Sequence, residues 1–271
     1  MVRSFFNRQQ NSNFNNLSWY RELLVVLIRR SLKRRYRGSF LGIYWSLLNP
    51  LAMTGLYTAI FGAAFAKYYD NSNLNYVLAA FTGLVVINFF SASTLMALTS
   101  VVENGSMVNK IQLPLAIFPL AAIGANVFQL LLGIFPLLMI VTLIISHSLV
   151  NAIALFLPII ALILVCAGVG LLMSGLFVFF RDLPYFYELF TFVLMMGSPV
   201  FYPVEIVPSS VQKFLIFNPI LPIIESIRQI VLSNDLPNLS LIIHSLVTGL
   251  IVMAVGMVAF ARWRSQFMDL L

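Results

Sequence analysis

Long uncharged apolar runs, broken by short polar stretches, dominate this chain. Residues 1–16 are polar and rich in Asn and Gln, which reads as a flexible cytoplasmic tail over 1–17. Beyond it, Tyr20, Leu23, Leu24, Leu27, Ile28 and Leu32 share one broad face of a helical wheel, and Glu22, Arg29, Arg30 and Lys33 share the other. This spacing predicts an amphipathic helix, with a basic hinge completing the segment 18–38. Ser18 is placed to cap it, and Glu22 suits its first turn. Beside a membrane such a helix lies in the interface, as a lipid anchor or as a docking surface for a cytoplasmic partner, and its periodicity fits both.

Six apolar segments follow within 39–262: about 40–66, 76–101, a stretch within 113–145, 153–180, 185–197 and 239–260. Continuous apolar runs of roughly 20 residues mark membrane-crossing helices, whereas barrel strands alternate over about 10. The run 113–145 is too long for one perpendicular crossing at ~1.5 Å per residue, so its start is expected to form a separate interfacial turn at Pro114 or Pro119. The segment 198–233, before the last run, is irregular. Ser198-Pro199, Tyr202-Pro203, Pro208, Asn218-Pro219 and Pro222 punctuate two apolar pieces, about 209–217 and 221–232, too short to span and too apolar for a solvated loop. Short helices re-entering the outer leaflet fit best, because broken backbone at membrane depth survives where protein or water covers it. The expected fold class is an all-α integral membrane protein with six transmembrane helices, an amphipathic helix before them and a cytoplasmic tail over 263–271.

Composition sharpens this. A chain of 271 residues that is 61% hydrophobic and 9% charged, with mean hydropathy +0.96, carries too little charge for a soluble domain. The net charge of +7 raises nucleic acid as a partner, but its placement says otherwise: nine of the sixteen basic residues precede position 40. Six of them, Arg29, Arg30, Lys33, Arg34, Arg35 and Arg37, abut the first apolar run and fix topology instead. With the N-terminus inside, thirteen basic residues fall on cytoplasmic segments, and Lys67, Lys213 and Arg228 fall outside. Both termini are then cytoplasmic. No early apolar core is present for a cleavable signal peptide.

Candidate chemistry is sparse. Cys166 is the only cysteine, and His147 and His244 lack ligand company at metal spacing. There is no G-x-x-x-x-G-K-[ST] phosphate loop and no nucleophile–base–acid constellation, so the chain is not expected to be an enzyme. Apart from Glu188 near the start of the fifth, the six runs hold no Asp, Glu, Lys or Arg, and so no set of the kind ion-driven carriers use as relays. Energy for uphill transport would therefore enter from another chain. Two polar stretches, Glu103-Asn104-Gly105-Ser106-Met107-Val108-Asn109-Lys110 and Arg181-Asp182-Leu183-Pro184, are either tight turns or the points that receive it. Glu225 and Arg228, at i and i+3, are placed to pair, as a structural tie or as a functional group at membrane depth. Tyr57, Phe61 and Phe65, and likewise Phe186 and Phe190, recur every four residues. Such stripes pack against neighbours, or offer ring faces on which a sugar polymer can slide.

Tyr36-Arg37-Gly38-Ser39, Leu41-Gly42, Trp45 and Asn49-Pro50, then Met107-Val108, Lys110 and Leu113-Pro114, then Arg181-Asp182, Ser198-Pro199, Phe201-Tyr202-Pro203, Pro208, Asn218-Pro219, Glu225 and Arg228, occur in an order that resembles one family. It is the permease subunit of type 2 ABC transporters that export lipid-linked O-antigen, capsule or teichoic acid chains. The resemblance covers about 20–262 and leaves the first residues without a counterpart. It implies a homodimer of six-helix subunits in the bacterial cytoplasmic (inner) membrane, with two copies of a cytoplasmic ATP-binding subunit that carries ATP and Mg. The permease itself holds no cofactor or metal. By the same resemblance the amphipathic helix, through Arg29, Arg30 and Lys33, is an interface helix, and Glu103, Asn104, Met107 and Lys110 belong to a coupling helix. Tyr57, Phe61, Phe65, Phe186 and Phe190 would line the channel, and Tyr202, Glu225 and Arg228 would lie in an outer gate. The rival readings are a type 2 ABC exporter of a small drug-like or lipid molecule, an ion-driven carrier or channel, and a membrane scaffold.

Overall fold

In a computed structural model, described for residues 17–108, 113–215, 217–233 and 235–269, those residues form helices and connecting turns, with no strand among them. The first helix, α1 (Leu17–Arg35), buries Leu23 and Leu27 and packs along α5 (Ile117–Gly133). Its apolar face therefore meets this chain's own bundle as well as any lipid. Ser18 falls inside α1, so the cap expected of it is not where the helix begins.

A hinge of two glycines turns α1 into α2 (Trp45–Phe65). Gly38 and Gly42 sit at φ +80° and +50°, a left-handed backbone that a Cβ disfavours by about 1–2 kcal/mol. The Ser39 hydroxyl accepts the Gly42 N–H at 3.0 Å and closes the turn. After α2, left-handed Asp70 and Asn71 lead into α3 (Asn73–Glu103), and the Ser72 side chain caps α3 at Asn75 N. This 31-residue helix is the hub of the bundle. It packs against α2, α5, α8 (Phe156–Phe179), α9 (Leu183–Gly197) and α11 (Leu221–Leu232). A four-residue turn of helix, α4 (Gly105–Val108), follows it.

The third apolar run is broken twice. Its first residues, before Ile117, lie outside the helix at Pro114, in line with the expected turn, while Pro119 lies within the first turn of α5. The second break is at Ile134, where α5 gives way to α6 (Phe135–Ser146) with a bend of 42°. Pro136 explains it, because its missing N–H and bulky ring interrupt the helix ladder. A short α7 (Leu149–Ala154) leads into α8, α10 (Ser209–Leu215) and α11 occupy the irregular segment, and α12 (Leu239–Trp263) closes the bundle against α8. Lipid supplies no hydrophobic drive between helices, so small residues set their approach. A Cβ on Gly256 would fall on the Gly168 carbonyl, and one on Gly168 on the Val252 carbonyl.

Four helical stretches among the described residues are long and apolar enough to cross a membrane, and the bent α5–α6 pair makes five. The expected fifth run, α9, has 15 residues. It reaches only ~22 Å at ~1.5 Å per residue, short of a hydrocarbon layer of about 30 Å. Burial is uneven: 61% of the apolar window of α3 is buried, against 17% for α2 and 22% for α12. Replacing Gly256 with Ala should force α12 off α8 at a cost of about 1–3 kcal/mol. Thermal unfolding of the detergent-solubilised chain reads this as a lowered midpoint, and an unchanged midpoint would show that the contact is not tight.

Candidate functional site

Three polar or aromatic constellations stand out from the apolar bundle. The first joins α1 to the end of α3. Arg30 Nη1 donates to Met107 Sδ at 3.0 Å, and one turn later Arg34 Nη2 meets Glu103 Oε2 at 3.0 Å. Asn104 Nδ2 donates to Ser100 O at 2.7 Å, which satisfies a carbonyl left free at the end of α3. The structure thus gathers Arg30, Glu103, Asn104 and Met107, four of the residues expected to couple to a partner. Arg29 and Lys33 are exposed and outside this contact, and Lys110 lies outside the described residues. Sequence reasoning missed Arg34 as a partner of Glu103. It also missed Arg35, whose Nη1 donates to the buried Asn126 Oδ1 at 2.8 Å. The i, i+4 spacing of Arg30 and Arg34, and the amides Asn126 and Gln129 in an otherwise apolar run, were the available signals.

The second is an aromatic ladder. Tyr57, Phe61 and Phe65 stack up one side of α2, with ring centroids 6.1 and 5.8 Å apart. Phe201 stacks on Tyr57 at 3.7 Å, and Tyr76 meets Phe65 at 6.1 Å while its hydroxyl donates to Phe201 O at 3.0 Å. Phe201 entered the sequence reading only within the Phe201-Tyr202-Pro203 motif, and neither it nor Tyr76 was expected beside the ladder. Phe186 and Phe190 are 69% and 52% exposed on α9, with Phe190 beside the buried Tyr187. Helices α2 and α9 both pack on α3, and their rings meet separate neighbours, Tyr57 pairing with Phe61 and Tyr187 with Phe190.

The third corrects the expected Glu225–Arg228 pair. Arg228 is 8% exposed, and its guanidinium donates to Ala79 O at 3.2 and 3.0 Å, to Pro199 O at 2.8 Å and to Val200 O at 3.2 Å. Backbone oxygens satisfy it, and Glu225 is not among its hydrogen-bond partners. The geometry follows from the chain break. Residues around Pro199 leave the helix and aim unpaired carbonyls inward, and a planar donor fork can collect several of them. The Tyr202 hydroxyl donates to Gly197 O at 3.0 Å and Met196 O at 3.2 Å, closing the end of α9. Asn218 Nδ2 donates to Ser198 Oγ at 2.8 Å, and Asn218 Oδ1 accepts Ile220 N–H at 3.0 Å. Ser198, Pro199, Tyr202, Asn218 and Arg228 therefore form one knot. Among the described residues no three His, Cys, Asp or Glu side chains are grouped to hold a metal ion.

A many-helix, multi-pass membrane protein, whose first helix is tied to the polar end of its central helix, belongs to a recognisable class. The model of the ABC-2 type transporter family matches residues 22–232, and the chain belongs to that family. Its relatives include an O-antigen export system permease protein RfbA of Klebsiella pneumoniae, 28% identical over 258 residues, with 94% of this chain and 97% of the relative covered. A protein of the same name from Myxococcus xanthus is 24% identical over 253 residues, covering 92% and 95%.

Arg228→Met should leave several buried carbonyls unpaired and cost about 3 kcal/mol, because each orphaned acceptor carries its desolvation penalty. Glu225→Gln should cost less than about 1 kcal/mol. Paired thermal midpoints in detergent test this, and equal losses would restore the ion pair as the main contact.

Proposed function

We propose that this chain is the membrane subunit of an ATP-driven exporter that moves lipid-linked polysaccharide, of the O-antigen, capsule or teichoic acid type, out of the cytoplasm. Two copies stand side by side in the bacterial cytoplasmic membrane with both termini inside. Each crosses six times, with α9 as a short fifth crossing and α10–α11 re-entrant from the outer side. ATP and Mg are held by two copies of a separate cytoplasmic subunit. Hydrolysis there displaces α1 and the 103–110 segment, and the permease responds by rigid-body shifts.

The observation that carries this reading is the bareness of α2 and α9. Both flank the deeply buried α3, yet leave broad apolar faces uncovered by their own chain, with Leu51, Leu56 and Ile60 on α2 and Phe186, Leu189 and Phe190 on α9, while Phe201 and Tyr76 only partly cover the ring ladder of α2. A second copy and a sugar polymer would together cover them. The relatives named for O-antigen export support the cargo class. The asymmetry of basic residues supports the orientation. A small apolar cargo would have no use for a ladder of rings running along a helix. An ion-driven carrier would want titratable groups buried within the crossings, and Glu188 on α9 is exposed.

Co-reconstitution with the ATP-binding subunit in inside-out vesicles should give ATP-dependent uptake of lipid-linked polysaccharide, with polymer trapped across the membrane when nucleotide runs out. Uptake without nucleotide, or uptake of small apolar molecules alone, would overturn the reading. The Arg34–Glu103 contact supplies a finer test. Arg34→Glu should lower transport-coupled hydrolysis severalfold, and adding Glu103→Arg should recover it. A charge swap that recovers nothing would remove this pair from the coupling path.

A further inference from the structure

A cleft of about 400 Å³ opens where the end of α1, the start of α2, the middle of α3 and α5 meet. Its size lies within the ~300–1,000 Å³ of small-molecule sites. Four carboxamides line it: Asn49 from α2, Asn88 from α3, and Asn126 and Gln129 from α5. Asn88 lies midway along the 31-residue α3, far from either polar end. Amides at such depth are expensive in lipid and persist where they face one another or a hydrated cavity. Two polar atoms of the wall, Gln129 Oε1 and the Tyr36 hydroxyl, are buried with no hydrogen-bond partner. Arg35 is the one charged residue of the lining, and Asn126 already accepts from it. Trp45, 57% exposed, sets a flat indole at the same wall.

This lining selects among ligands. An apolar molecule would leave the amides unpaired, at a cost of about 1–3 kcal/mol for each buried group. A multiply charged anion would find one guanidinium, partly engaged. Carboxamides both donate and accept, as hydroxyl groups do, and an exposed indole face suits the C–H side of a sugar ring. The cleft is also in line with the ladder. Ser46 and Pro50 of its wall lie within about 20° of Tyr57 around α2 at ~100° per residue, and Pro50 is roughly 10 Å below it.

We propose that this cleft seats one neutral sugar unit of the cargo at the cytoplasmic foot of the aromatic ladder. The inference rests on the export reading above and adds a binding site to it. Replacing Cys166, the chain's one cysteine, with Ser gives a background for site-specific labelling. Asn88→Cys and, separately, Ser91→Cys on the same wall are then introduced in the full complex in inside-out vesicles. The second variant keeps every amide, and so guards against loss of folding or of the ligand contact in the first. A water-soluble thiol reagent should label both. Lipid-free polysaccharide, released from the same cells by mild acid, should slow labelling severalfold, and inorganic pyrophosphate should not. Protection by pyrophosphate would make the cleft an anion site and overturn the proposal. Absent labelling, or labelling indifferent to polysaccharide, would overturn it as well. The Cys166→Ser complex, assayed for ATP-dependent uptake in the same vesicles, separates the two levels. Intact uptake with no protection sinks the cleft alone, whereas no uptake sinks the export reading and the cleft together.

Discussion

A guanidinium buried among apolar helices needs oxygen atoms, and Arg228 takes them from the backbone of Ala79, Pro199 and Val200. Much of the irregular half of the molecule depends on that demand. The chain between α9 and α12 is broken by prolines, and every break frees carbonyls that water cannot reach inside the bundle. Arg228 absorbs those around Pro199, Tyr202 those at the end of α9, and Asn218 ties the two sides through Ser198. Helix α11 can then lie buried against α3, α6, α8 and α12 although it has only 12 residues.

The basic end of the bundle works by a different balance. The Arg34–Glu103 bridge is exposed, with side chains 64% and 44% accessible, so its contribution to stability is at most about 1 kcal/mol. Its value is geometric. Together with Arg30–Met107 and Arg35–Asn126 it holds α1 to the end of α3 and the middle of α5, while Leu23 and Leu27 supply the buried anchor. A force applied to α1 or to the 103–108 segment is then felt by both. The two left-handed glycines of the hinge let this unit meet α2 at an angle no ordinary residue would hold cheaply.

Much of this was legible in the sequence because bilayer physics leaves few options. The apolar runs became helices, and the piece 221–232 became α11 with the same limits. The motif around Gly38 and Gly42 gains a physical reason in their positive φ. What escaped was long-range. Spacing alone put Glu225 beside Arg228, but spacing could not reveal that Ala79, 149 residues away, offers a carbonyl at 3.0 Å. The bend at Ile134 hid inside an unbroken apolar run, since Pro136 does not change hydropathy. Ser18 looked like a cap because nothing local shows that helix begins before it. The aromatic stripe on α2 was visible, yet its outer partners Phe201 and Tyr76 come from other elements and carry no periodic signal.

The polar groups of the bundle are sorted by kind, and the sorting argues for the cargo. Arg30, Arg34 and Arg35 gather at the basic end, while the deep Arg228 guanidinium is locked onto backbone oxygens and unavailable to a passing ligand. Between them the path from the cleft to the ladder offers amides and rings. A polymer that must slide cannot be held by any single strong site, because each step would have to break it. Weak contacts of one type, repeated at intervals along a helix, let one sugar leave as the next arrives. On the proposed reading, the rings of α2, 5.8 and 6.1 Å apart, would supply such a series. A lining of this sort distinguishes poorly between one sugar and another, so selection among glycans would fall to other parts of the assembly.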